Sequence, residues 1–218
     1  MALIILGMWV AAGMILGFAM PPITDGQAVL STRQIAYFHV PMAVSMLVAF
    51  LLAAWNGVRW LRTREAKFDA LSLAYAEVGT AFGVIATATG SVFARHNWGM
   101  YWSWDPQQVG IVATLLTYGA LFSLRTATED EDKQRNLWAV YAIFGAVAAI
   151  FWLFIYRHLP SVRLNTAHPS GTLTGSAPIF RIALWFNIIG YTMLLVKLAQ
   201  LRARLETASQ HLKDLSWI

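Results

Sequence analysis

Residues 137–156 read LWAVYAIFGAVAAIFWLFIY, a run of twenty positions with no charged side chain. An α-helix of about 20 residues is as long as the hydrocarbon layer of a bilayer is thick, ~30 Å. Charges close both ends, with EDKQR at 131–135 and Arg157 directly after the run. The segment is therefore predicted to cross a membrane.

Working outward, the same pattern recurs along the chain. Apolar runs occupy about 34–60, 70–93, 108–124 and 179–201, and another opens the chain at about 2–20, ended by Pro21 and Pro22, which cannot continue a helix. That first run has no Lys or Arg and fills a bilayer, so it reads as a retained span rather than a signal peptide. No strand pattern competes. The prediction is an all-α integral membrane protein, a bundle of six transmembrane helices forming a single domain over 1–218, with a polar tail after the last span. Composition agrees, with 58% apolar and only 12% charged residues in 218.

Six crossings place both termini and two loops on one side. That side carries eleven Lys and Arg (Arg59, Arg62, Arg64, Lys67, Arg125, Lys133, Arg135, Lys197, Arg202, Arg204, Lys213), against five opposite (Arg33, Arg95, Arg157, Arg163, Arg181). By the positive-inside rule both termini are cytoplasmic. The net charge of +5 is then an orientation signal beside helix ends, not a nucleic-acid surface. With no cysteine, the chain has neither a disulfide, nor a thiolate metal site, nor a thioether attachment for heme. No phosphate loop and no nucleophile paired with a base appear, so the sequence does not read as an enzyme.

The loop after the third span, RHNWGMYWSWDP at 95–106, faces outward in this topology. Interfacial aromatic belts account for single residues such as Trp9 or Trp185. Trp98, Tyr101, Trp102 and Trp104 instead bunch around Gly99 and are closed by Asp105-Pro106, which builds a local apolar platform with indole donors. Such a surface suits a large flat ligand with polar edges. Two histidines face the same side: His39, in YFHVP at 37–41 just inside the second span, and His168, in LNTAHP at 164–169. An ionisable group inside a span is costly unless it has a role, and heme iron takes imidazoles from its two faces. His96 and His158 also lie outward, as alternates or bystanders. Outward arginines are available for heme propionates, without the sequence choosing among them.

The segment WGMYWSWD at 98–105 resembles the tryptophan-rich WWD motif of heme-handling membrane proteins. Within that superfamily the chain resembles the CcmC family, heme exporter protein C of the cytochrome c maturation system. YFHVP at 37–41, NTAH at 165–168 and TGS at 89–91 stand in the family's order, and the resemblance covers about 35–195. It implies a bacterial inner-membrane protein that binds heme b non-covalently at the periplasmic face. His39 and His168 would be axial ligands, with Trp98, Tyr101, Trp102, Trp104 and Asp105 shaping the site. Heme would pass to a periplasmic chaperone, CcmE, with the ATP-binding cassette pair CcmA and CcmB and the small CcmD completing the complex. Many members carry an arginine after the Trp-Asp pair, where Pro106, Gln107 and Gln108 stand here. The Asp-Pro variant is also similar to the CcsA-like and CcmF-like heme lyase branch. Two rivals remain: a b-type electron-transfer subunit, and a transporter using the intramembrane Glu77, whose alternative role is a structural hydrogen-bond partner.

Overall fold

Segments that are apolar within and charged only at their ends fold as long helices. The computed structural model describes residues 2–19, 33–163, 168 and 178–215, and among these it contains helices and no strand. In chain order they are α1 (Ala2–Ala19), α2 (Arg33–Thr63), α3 (Ala66–Trp98), α4 (Pro106–Thr126), α5 (Glu131–Ile150), α6 (Pro160–Arg163) and α7 (Pro178–Leu215). Beyond Ile150, α5 runs on as a π turn, Phe151–Ile155, and a 3-10 turn, Tyr156–His158. Within the π turn the Tyr156 amide bonds to the Phe151 carbonyl, five residues back.

Among the described residues, five stretches are long and apolar enough to cross a membrane: 34–63, 66–98, 106–126, 131–158 and 178–209. The apolar part of α1, Leu3–Ala19, is shorter. It nevertheless lies antiparallel along α7: Trp9 stacks on Phe186 at 4.9 Å and donates its indole N–H to the Phe186 carbonyl at 3.1 Å, and Asn187 donates to the Gly13 carbonyl at 3.2 Å. Glycines permit that approach, since a Cβ on Gly13 would meet Asn187 Oδ1 at 2.3 Å and one on Gly190 would meet Trp9 at 2.5 Å.

Helices overrun the apolar runs that announce them. The third was expected over 70–93 and spans Ala66–Trp98, so Arg95, His96, Asn97 and Trp98 are helical rather than loop. The tail expected after 201 is helix as far as Leu215, supported by the Arg202–Glu206 pair at 2.8 Å, one turn apart. Hydropathy marks where a helix is apolar; backbone hydrogen bonding continues past that point while the residues remain good helix formers.

At the centre, Phe50 of α2 stacks on Tyr118 of α4 at 3.6 Å, both fully buried. Trp138 of α5 donates to Ser72 Oγ at 3.0 Å, and Ser72 donates to the Ala53 carbonyl at 2.8 Å, linking α5, α3 and α2 through buried polar groups. One end of the bundle is closed by Asp69 at the start of α3, held in a two-pronged pair with Arg125 at 2.7 and 2.8 Å. Trp60 and Arg64 both donate to Asn136 there. The start of α2, the end of α3 and the start of α4 lie at the opposite end, where the aromatic loop sits.

Candidate functional site

Asp105 begins the site because it begins α4. Its carboxylate Oδ1 accepts the Gln107 amide N–H at 2.8 Å, while Gln108 Oε1 accepts the backbone N–H groups of Asp105 at 3.3 Å and Ser103 at 2.9 Å. With Pro106 at the first helical position, Asp-Pro-Gln-Gln is a capping box. The three residues that looked like a departure in the sequence are thus what anchors the loop to α4. The spacing of an Asp cap and a Gln three residues on was the signal for it.

The same Oδ1 also accepts from His168, at 2.6 Å to Nδ1. A carboxylate only accepts, so Nδ1 carries the proton and the neutral ring keeps its lone pair on Nε2. Burial holds the His168 imidazole below its ordinary value, against the upward pull of Asp105; the Arg157 guanidinium adds to the lowering. Trp98, the last residue of α3, sets its ring edge against His168 at 5.1 Å between centroids.

His39 is prepared in the same way by a different partner. Its Nδ1 lies 2.8 Å from the Ala86 carbonyl of α3, which again only accepts, so Nε2 is the free nitrogen. The ring fits because α3 has glycine beneath it: a Cβ on Gly90 would meet His39 Cε1 at 2.7 Å. The two imidazoles lie close enough for the charge of one to act on the other. A ring nitrogen bound to a fixed acceptor, with the other nitrogen left to coordinate, is how proteins orient histidines that ligate a metal.

The loop itself is wrapped and exposed. Gly99 takes a left-handed backbone, φ 80°, to end α3, and Arg95 donates to the Gly99 carbonyl while lying over the Tyr101 ring at 5.7 Å. Trp102 and Trp104 meet edge to face at 5.8 Å. Trp104 has φ 58°, a conformation that bulky residues rarely adopt, and its side chain is 73% exposed. Strain that points an indole into the surroundings is typical of a binding surface. Tyr101 and Trp104 therefore form an outer rim, whereas Trp98, Asp105 and His168 form one contact group. His96 and His158 are exposed. Glu77 is engaged on α7, pairing with Arg202 at 2.8 and 3.1 Å, as a structural partner would be.

These features define a multi-pass helical membrane protein with two oriented imidazoles and an aromatic rim at one end of its bundle. The family model described as heme exporter protein C, CcmC, matches residues 1–217. The chain belongs to that family. Relatives named heme exporter protein C include those of Paracoccus denitrificans (26% identical, 93% of this chain and 83% of the relative) and Rhodobacter capsulatus (27%, 93% and 84%). The protein of that name in Escherichia coli K12 is 28% identical over 88% of this chain and 76% of its own.

Proposed function

We propose that this protein binds heme b non-covalently between His39 and His168 at the outer face of the bacterial inner membrane. It presents the heme to a periplasmic chaperone during cytochrome c maturation, as one component of a larger complex and not as an enzyme in itself. Membership of the heme exporter protein C family supplies the ligand class. One observation carries the site: two histidines from separate segments each commit Nδ1 to a fixed acceptor, while Nε2 of neither has a hydrogen bond among the described residues. Trp98, Tyr101, Trp102 and Trp104 supply apolar walls for the ring, and Asp105 holds one ligand in place. In this reading α1, antiparallel to α7 and packed along it, is the sixth crossing. The whole chain is one domain, with both termini cytoplasmic by the balance of basic residues.

His39 and His168 would hold the heme iron through their imidazoles, and the exposed aromatic rim of Tyr101 and Trp104 would lie at the side from which a partner approaches. The test compares wild type with His39→Ala, His168→Ala and the double variant at equal membrane insertion. The readouts are heme content and oxidised and reduced optical spectra. Each single variant should hold heme loosely with a five-coordinate spectrum, and the double variant should hold none. Six-coordinate, wild-type spectra in both single variants would exclude this pair, and loss of that spectrum in His96→Ala or His158→Ala would move the assignment to those residues.

A further inference from the structure

The π turn at the end of α5 brings Arg157 to the N-terminus of α4. There the Gln107 side-chain amide lies between two groups of that segment, the Leu153 carbonyl and the Arg157 guanidinium, and turning the amide over, so that its nitrogen donates to the carbonyl at 3.1 Å and its oxygen accepts from Arg157, satisfies both. Gln107 thereby fixes the direction of the guanidinium. Arg157 also lies close enough to His168 for its charge to act on the imidazole. Its Nε is buried and has no hydrogen-bond partner among the described residues.

A guanidinium carries five donors in a rigid fork that matches a carboxylate, and leaving a buried donor of a charged group unmet is costly. Asp105, the carboxylate at the start of α4, already gives one oxygen to His168 and the α4 amide. Two other arginines assigned to this face are committed elsewhere: Arg95 to the Gly99 carbonyl and the Tyr101 ring, and Arg181 to partners of its own. Arg157 is thus an oriented, partly buried cation within electrostatic range of the His168 imidazole, with a donor unmet among the described residues, and a carboxylate is the group that would satisfy it.

We propose that Arg157 anchors a carboxylate of the bound ligand, a heme propionate, and that Gln107 positions it. This rests on the heme-binding reading above, and Arg157 would be the residue that receives the ligand's carboxylate edge. Detergent-purified wild type, Arg157→Gln and Arg157→Lys are titrated with hemin and with hemin dimethyl ester, whose propionates are blocked, following the Soret band. Wild type should prefer hemin. Arg157→Gln should bind hemin about 10- to 100-fold more weakly, the range of a lost hydrogen bond to a charged group. Arg157→Lys, which keeps charge but not the fork, should lose part of that preference. Ester affinity should stay at the wild-type level in both variants, which also shows that the site is still folded. An unchanged hemin-to-ester ratio in either variant, or an equal fall for both ligands, overturns the anchor while leaving the axial pair standing. If wild type itself gives no six-coordinate Soret band with hemin, the heme reading falls and the anchor with it.

Discussion

Asp105 serves two partners with one oxygen, and two substitutions separate them. Oδ1 accepts the Gln107 N–H at 2.8 Å as the cap of α4 and the His168 Nδ1–H at 2.6 Å as the orienting contact. Asparagine caps helices as well as aspartate does, whereas alanine loses about 0.5–2 kcal/mol. The histidine contact is charge-assisted, and a neutral acceptor gives roughly half its strength. Outer-shell partners of metal-bound histidines are worth about 10- to 100-fold in affinity. Asp105→Asn should therefore leave thermal stability unchanged and weaken heme binding about tenfold, roughly 1.4 kcal/mol. Asp105→Ala should approach a hundredfold, about 2.7 kcal/mol, and also lower the melting temperature. Heme affinity is read from Soret titration and helix unfolding from far-UV circular dichroism. Wild-type heme affinity in Asp105→Asn would refute the orienting role and leave Asp105 a cap alone.

Three further outcomes follow from the same geometry. Reporter fusions at Ala66 and Glu131 should read as cytoplasmic and those at Asn97 and Gly171 as external; an external reading at Glu131 breaks the six-crossing topology. Replacing Trp102 and Trp104 together by alanine should weaken heme retention without altering membrane insertion, because both lie outside the helical core; full retention would return these residues to an ordinary interfacial belt. Ligation needs the neutral ring, and burial holds His168 below its ordinary value. As pH falls, heme affinity should stay level through about 6.5, the usual imidazole value, and drop only below it; a midpoint at or above that value contradicts the buried placement.

Hydropathy revealed the long helices because lipid demands unbroken apolar runs, but it could not mark their ends. Arg95 through Trp98 and the segment beyond 201 are polar enough to read as loop and still continue helices. His39 and His168 stood out in the sequence as histidines in unusual settings. What prepares them did not, because the Ala86 carbonyl and Asp105 are 47 and 63 residues away from them in the chain. Gly90 appeared only as part of a matching tripeptide; in the fold it is the floor under an imidazole. Arg157 was one of five outward arginines, and no sequence periodicity would single it out, since its direction depends on a local departure from α-helical winding.

That departure has its own consequence. Across Phe151–Ile155 the chain accommodates an extra residue per turn, so everything after it is out of phase with a regular continuation of α5. Removing a single residue there would restore ordinary winding and leave the following segment facing α4, whereas winding the same residues as a regular helix would turn that segment by about 100°. In the second case Tyr156, Arg157 and His158 would swing away from α4, although no side chain at the site had been changed. The segment thus absorbs phase: losing one residue within Phe151–Ile155 keeps the arginine facing α4, whereas losing one in the regular part of α5 turns everything beyond it by about 100°.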